Sequence, residues 1–396
     1  MNSMEQLATR YWENVVAYRR WLHAHPELSG QEEKTAAYIA QALHEMGLSP
    51  TEHVGGYGVT ALIQGRSPGR CVGLRADFDA LPIAECTGLP FASENPGVSH
   101  ACGHDTHAAM LLGAAHILND LRDRFSGTVK LIFQPSEENA ADSGAKKMIA
   151  AGVLDHPHVD AIIGQHVSPL CPSGKITVRR DAMSSASDRF FFTIHGQSSH
   201  ASKPETGIDA IVVGTQVLST LQTIVSRNVS PLDSSVLTVG TVRAGTGYNV
   251  LAETYEVEGT CRNQNLQVRD AIPARMEAII RGVAEGMGAR YTFRYVKGYS
   301  PVINAPEMYK LLVDTATGLI GAENVVPMEH ASLGGEDFCF YAEQVPGVFY
   351  HLGCRKAGTD FWPIHNGHFS PDEEVMRIGM QILASTALNY LGPQEA

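Results

Sequence analysis

The stretch Cys71-Val-Gly-Leu-Arg-Ala-Asp77-Phe-Asp79 indicates both the fold class of this chain and the place of a site. Residues 71–76 are mainly apolar and are predicted to form a strand. Two carboxylates, Asp77 and Asp79, follow at the C-terminal end of that strand. Ligand sites collect at the C-terminal ends of strands in open α/β sheets. We therefore expect an α/β fold with a polar site at this edge of the sheet.

Strand and helix patterns alternate on either side of this stretch. Three further runs are rich in β-branched or apolar residues and are predicted strands, namely residues 59–63, 128–133 and 161–164. Helices are predicted between them, over residues 108–118 and 144–151. This alternation predicts a mixed, mostly parallel sheet that is flanked by helices.

The N-terminal region is predicted to be helical. Apolar residues at helical spacing predict one helix over residues 4–23, which ends before Pro26. The sequence Ser29-Gly-Gln-Glu32 matches a capping box and predicts the start of a second helix.

A second pattern begins near residue 187. Its elements follow the order βαββαβ, with strands at 190–194, 235–242, 255–260 and 291–295 and helices at 208–225 and 268–287. This order is the split-βαβ, or ferredoxin-like, arrangement. We expect residues 187–297 to be a domain inserted into a metal-binding domain that is formed by residues 1–186 and 298–396.

Composition excludes several classes of function. The 396 residues carry a formal net charge of −12, which argues against nucleic acid and anionic membranes as partners. No apolar run is long enough to span a bilayer, and the first residues do not resemble a secretory signal. The seven cysteines are scattered, which fits a reducing compartment. We expect a cytoplasmic protein.

Candidate metal ligands follow several predicted strands. The sequence HACGHD at 100–105 supplies Cys102 and His104, which can point to the same side of a short extended segment. Glu137 and Glu138 end one strand, and His166 ends another. Each residue alone is usually structural, since a free cysteine is commonly a small buried hydrophobe. Their recurrence at strand ends favours a metal site, because thiolate and imidazole suit zinc and similar ions.

The number of donors exceeds the needs of one four-coordinate ion. A pair of divalent ions fits better and can lower the pKa of a water molecule and polarise a carbonyl oxygen. One glutamate of the adjacent pair can bind metal while the other acts as a general base. His365 or His368 can complete the site, although either can instead cap the last helix or pair with Glu373.

Three residues of the inserted segment are candidates for contact with a substrate. His200 lies in a polar loop and can hydrogen-bond an oxyanion, or it can be an ordinary surface histidine. Asn249 and Arg262 can hold a substrate carboxylate, for which arginine offers a planar fork. Arg262 can equally be a charge on the surface of a sheet.

Taken together, these segments resemble the metal-dependent aminoacylase/carboxypeptidase superfamily, in the amidohydrolase branch of hippurate hydrolase and the indole-acetyl-amino-acid hydrolases. The resemblance spans nearly the whole chain. It rests on RRWLH at 19–23, PELS at 26–29, RADFDALP at 75–82, HACGHD at 100–105, FQPSEE at 133–138, GQH at 164–166 and GEDF at 335–338.

The resemblance implies a hydrolase that binds two divalent ions (Zn, Mn, Co or Ni) and cleaves N-acyl-L-amino acids to a carboxylic acid and an amino acid. The implied metal ligands are Cys102, His104, Glu138, His166 and His365, and Glu137 is the implied general base. HNGHF at 365–369 aligns with the family's last ligand motif, with Gly367 in place of the usual proline. The inserted domain is implied to form a homodimer or higher homo-oligomer, in which His200 reaches the partner's site.

Two other functions are compatible with the same residues. The first is a non-catalytic sensor that binds acyl amino acids and uses its metals structurally. The second is a thiol-dependent hydrolase in which Cys102 and His104 act together. We rank the amidohydrolase first because the donor set is intact and includes an additional glutamate.

Overall fold

A computed structural model describes residues 3–392. Its strands, in chain order, are β1 (Thr51–Val54), β2 (Gly58–Gln64), β3 (Cys71–Asp77), β4 (Thr128–Gln134), β5 (Ala161–Pro172), β6 (Ile176–Val178), β7 (Ala186–His195), β8 (Ser235–Ala244), β9 (Thr254–Asn263), β10 (Arg290–Tyr299), β11 (Val325–Pro327) and β12 (Gly347–Arg355). Its α-helices are α1 (Ser3–Arg10), α2 (Trp12–Ala24), α3 (Glu33–Glu45), α4 (His104–Asp120), α5 (Gly144–Ala150), α6 (Ala210–Leu221), α7 (Leu266–Gly286), α8 (Pro306–Ile320), α9 (Cys339–Ala342) and α10 (Val375–Leu391).

Among the described residues, the first compact unit comprises residues 3–183, 302–330 and 337–392. It contains an eight-stranded sheet in the order β1-β2-β4-β3-β5-β12-β6-β11. Strand β3 is buried along its whole length and pairs in parallel with β4 and β5. β12 also runs parallel to β5, whereas β2 runs antiparallel to β4. The C-terminal ends of β3, β4 and β5 therefore lie at one edge of the sheet.

The second compact unit comprises residues 184–301 and 331–336. Its four strands form an antiparallel sheet in the order β10-β7-β9-β8. Helices α6 and α7 contribute Val217, Ile272 and Met276 to a core that also contains Phe190 and Ile194 of β7. The predicted fold class, a mostly parallel α/β sheet with a separate βαββαβ unit, is confirmed.

Two local predictions are wrong. The single helix that was predicted over 4–23 is divided at Tyr11 into α1 and α2. The capping box at 29–32 does not form, because the Glu32 side chain makes no bond to the start of α3 and instead reaches Ser136. Within residues 3–392, no helix combines the length and apolar character that crossing a bilayer needs.

Candidate metal centre

The donor side chains of the first unit converge at the carboxyl edge of its sheet. His104 begins α4, Glu137 and Glu138 follow β4, and His166 lies within β5. His365 arrives from the loop before α10, and its backbone N–H donates to Ala101 O at 2.7 Å. Sheet topology therefore brings together side chains that are separated by more than 200 positions in the sequence.

Two groups of donors share the thiol of Cys102. In the first, Cys102, His104 and His166 place their ligand atoms within 4.8 Å of one another, and Cys102 Sγ lies 3.3 Å from His166 Nε2. In the second, Cys102, Glu138 and His365 do the same, with His365 Nε2 3.2 Å from Glu138 Oε1. One sulfur therefore lies within reach of two separate sets of ligand atoms.

A left-handed glycine, rather than an extended segment, joins Cys102 to His104. Gly103 has φ +88°, and α4 begins directly after it. A Cβ at this position would lie 2.5 Å from Val167 Cγ2, so both the backbone angle and the space require glycine. The prediction of an extended segment is wrong in its geometry, although the two side chains do share one donor group.

Metal ions suit this cluster electrostatically. His104 Nε2 is buried and has no hydrogen-bond partner among residues 3–392, although it faces Glu138 Oε1 at 3.9 Å. Burial would lower the pKa of His104, but the nearby charges of Asp77 and Asp79 raise it to about 10. Burial and the charges of Glu138 and Glu137 raise the pKa of the Cys102 thiol well above its usual value. A cation beside these groups would relieve the excess negative charge and release the protons.

The same pKa directions disfavour a thiol nucleophile. Burial and the charges of Glu138 and Glu137 favour the neutral thiol of Cys102 by raising its pKa, whereas nucleophilic attack requires the thiolate. This direction counts against the alternative in which Cys102 and His104 act as a thiol-dependent hydrolase.

Buried carboxylates orient the donors from behind. Asp79 accepts hydrogen bonds from His104 Nδ1 at 3.1 Å, from Ser29 Oγ at 2.6 Å and from Glu138 N at 3.0 Å. Such a contact fixes which ring nitrogen of a histidine faces the metal. Burial would raise the pKa of Asp79, but the contacts with His104 lower it.

His107 is a neighbour that the sequence analysis did not assign. Its Nδ1 lies 2.6 Å from Asp77 Oδ1, and its Nε2 accepts from Val167 N at 2.9 Å. Both ring nitrogens therefore have partners, and the ring lies behind His166, with 4.5 Å between the ring centroids. The sequence feature that could have indicated His107 is its position one helical turn after His104.

Glu137 and Glu138 differ in their contacts. Glu137 is 6% exposed and accepts a long hydrogen bond of 3.4 Å from Asp337 N. Its carboxylate lies within 4.8 Å of ligand atoms of His104 and Glu138. Glu138 alone belongs to the donor group with Cys102 and His365. The pair therefore offers one carboxylate within the donor group and one beside it.

The structure distinguishes His365 from His368. His365 belongs to a donor group, whereas His368 stacks on Trp362 with 4.5 Å between the ring centroids. His365 has φ +61°, a left-handed conformation that is uncommon for a residue with a side chain. A hydrogen bond near this residue stabilises the turn, since Gly367 O accepts from Cys86 N at 2.7 Å.

The remaining predicted residues lie in the second unit. His200 Nδ1 accepts from Ser202 N at 3.1 Å, and Asn249 O accepts from Ala201 N at 3.1 Å, so these two exposed loops adjoin. Arg262 lies at the other end of β9, where its guanidinium donates to Ser187 Oγ and Thr260 Oγ1. These contacts fit the alternative reading of Arg262 as a sheet residue.

An α/β sheet whose carboxyl edge gathers a thiol, three imidazoles and two carboxylates is an arrangement typical of metal-dependent hydrolases. Comparison with known families gives the family. A sequence model of peptidase family M20/M25/M40 matches residues 73–389, and the chain belongs to that family. The predicted membership and the prediction of a hydrolytic enzyme are both confirmed.

Individual relatives cover most of the chain. It is 47% identical to the N-acyl-L-amino acid amidohydrolase of Geobacillus stearothermophilus over 294 residues, which are 74% of this chain and 79% of the relative. It is 40% identical to the N-acetylcysteine deacetylase of Bacillus subtilis over 383 residues, 95% and 97% of the two chains. The crystal structure of Bacillus subtilis YXEP, described as a dinuclear metal binding peptidase from the M20 family, superimposes with a TM-score of 0.83 at 36% identity and covers 97% of this chain and 99% of that one.

Proposed function

We propose that this protein is a metal-dependent amidohydrolase that cleaves N-acyl-L-amino acids to a carboxylic acid and a free amino acid. The observation that carries the proposal is the Cys102 sulfur shared by two donor groups, with the Glu137 carboxylate beside them. The relatives named as an N-acyl-L-amino acid amidohydrolase and an N-acetylcysteine deacetylase support the substrate class.

Two divalent ions, Zn, Mn, Co or Ni, fit the donors. Cys102, His104 and His166 would hold one ion, and Cys102, Glu138 and His365 would hold the other. Bound ions of this kind lower the pKa of a water molecule and polarise a carbonyl oxygen. The Asp79 contact to His104 Nδ1 leaves Nε2 for the metal.

Glu137 performs the proton transfers in this proposal. Its carboxylate accepts a proton from the attacking water as the new C–O bond forms at the acyl carbon. It then donates that proton to the amide nitrogen as the C–N bond breaks, so that a neutral amine can leave. General acid–base catalysis of this kind contributes about 10²–10⁴-fold to rate.

Substrate contacts and assembly complete the proposal. His200 stabilises the developing oxyanion, and Asn249 holds the substrate carboxylate, with Arg262 as the weaker candidate for that role. The second unit forms a homodimer or higher homo-oligomer, for which the exposed apolar Ile211 and Val212 of α6 provide support.

The seven free thiols support a reducing, cytoplasmic location.

The test compares Glu137→Gln with its matched neighbour Glu138→Gln. Amine release is measured on acetyl, benzoyl, indole-acetyl and long-chain acyl amino acids with each metal, and bound metal is measured by elemental analysis. We expect Glu137→Gln to keep two ions per chain and to lose about 10²–10⁴-fold in kcat. Glu138→Gln should lose metal.

Two results would contradict the proposal. Full turnover in Glu137→Gln excludes that residue as the base. A wild-type protein that holds metal but releases no amine from any substrate in the panel excludes the proposed activity.

A further inference from the structure

The turn that presents the two glutamates has a strained backbone. Ser136 lies directly before Glu137 and has φ +54°, in the left-handed region. For a residue with a side chain, such a conformation is unfavourable and persists only where surrounding contacts hold it. Ser136 is itself buried, at 3% exposure. Something in the surrounding structure therefore has to fix this turn.

Glu32 makes the contact that fixes it. The Glu32 carboxylate is fully buried, and its Oε1 accepts hydrogen bonds from Ser136 N at 2.8 Å and from Ser136 Oγ at 3.3 Å. Glu32 is the residue before α3 and does not cap that helix with its side chain. Its carboxylate also lies near the backbone N–H groups of Gly30 and Glu32, and its bond to Ser136 reaches a backbone N–H that lies 104 residues later in the chain.

Two other contacts hold the rest of the turn. Ser136 O accepts from Gly144 N at 3.1 Å, and Glu138 N donates to Asp79 Oδ2 at 3.0 Å. Neither contact involves the backbone N–H of Ser136, which donates to Glu32 instead. The φ angle of Ser136 sets the direction in which the chain leaves β4 and enters Glu137.

We propose that Glu32 is a positioning residue that holds Ser136 in its left-handed conformation, so that Glu137 and Glu138 face different parts of the metal centre. This inference rests on the proposed function for its effect on turnover. Without the Glu32 contact, Ser136 relaxes towards negative φ. The Glu137 carboxylate then leaves the position from which it exchanges protons with water and amine.

The Glu32 carboxyl does not need its charge for this role. Burial, followed by the charge of Asp79, raises the pKa of Glu32 to about 7. A neutral glutamine keeps an oxygen that can accept the Ser136 N–H, whereas alanine does not. Glycine at position 136 adopts positive φ at little cost, so it removes the need for the contact.

The experiment uses the full-length, metal-loaded protein with four variants, which are Glu32→Ala, Glu32→Gln, the double variant Glu32→Ala/Ser136→Gly and the exposed control Glu33→Ala. Hydrogen–deuterium exchange of the peptide that contains Ser136 is measured with and without metal. Values of kcat and KM are measured on the best substrate of the panel. Melting temperatures report any general loss of fold.

We expect Glu32→Ala to speed exchange at Ser136 at least tenfold and to lower kcat about 10–100-fold, with KM changed less than threefold. Glu32→Gln should stay within a few-fold of wild type in both measurements, as should Glu33→Ala. The double variant should recover most of the lost kcat, although its melting temperature need not recover.

Three results would overturn the inference. Unchanged exchange at Ser136 in Glu32→Ala removes the proposed contact. A glutamine variant as impaired as the alanine variant, or a double variant that recovers no turnover, shows that the left-handed turn is not what Glu32 supports. If Glu32→Ala does not fold, the glutamine and double variants still decide the question. If the wild-type protein is inactive on every amide, only the proposed function is contradicted, because hydrogen–deuterium exchange still tests whether Glu32 holds the turn.

Discussion

Replacement of Asp79 by asparagine tests whether the donors depend on the carboxylate behind them. Asp79 is fully buried and accepts from three donors, which are His104 Nδ1, Ser29 Oγ and Glu138 N. Asparagine has the same shape but only one acceptor oxygen. If that oxygen keeps His104, its NH₂ group faces Ser29 Oγ and the Glu138 N–H, and the partly buried Glu138 N–H loses its partner.

The size of the effect follows from these contacts. A buried N–H without a partner costs about 1–3 kcal/mol of folding stability. Loss of a carboxylate that orients a metal-binding histidine typically lowers metal affinity about 10–100-fold. We expect Asp79→Asn to lower the folding stability of the metal-free protein and to weaken its affinity for metal.

The assay is a competition titration of zinc against a chromophoric chelator, together with urea unfolding of the metal-free protein. Asp142→Asn is the matched control, because Asp142 forms an exposed ion pair with Lys147 and belongs to none of the donor groups among the described residues. If Asp79→Asn binds zinc as tightly as this control does, the carboxylate does not orient the donors and the reasoning is refuted.

Two further predictions concern the turn before α10 and the support of α2. A Cβ on Gly367 would lie 2.3 Å from Ala84 O, so Gly367→Ala should displace the His365 turn and weaken zinc binding about tenfold in the same titration, and unchanged binding would show that the turn adapts. Burial would raise the pKa of Glu85, but hydrogen bonds, of which the one with His23 has the largest effect, lower it to about 2. The charged form of Glu85 therefore stabilises the fold above about pH 4.3, and this contribution is lost as the pH falls towards 2. Glu85→Gln should destabilise the protein at pH 7, with a smaller difference at pH 3, as measured by urea unfolding, whereas an equal difference at both pH values contradicts the assignment.

Sequence patterns predicted the fold well because its strands are strongly marked. β3 and β4 are mainly apolar runs, with Asp77 at the end of β3 and Glu137 shortly after β4, and that pattern depends only on local composition. The helix divided at Tyr11 and the failed capping box show the limit of such patterns. Local signals at these positions compete with contacts from distant residues, and the Glu32–Ser136 hydrogen bond replaced the predicted local one.

The residue types alone determined which atoms can bind metal, because thiol, imidazole and carboxylate keep their chemistry wherever the chain carries them. Only the tertiary structure decided that Cys102 is shared by two donor groups and that His365, rather than His368, joins one of them. It also decided which buried carboxylates stand behind the donors. The physical reason is that distances between side chains depend on strand order and on backbone angles such as those of Gly103 and Ser136, which no local pattern fixes.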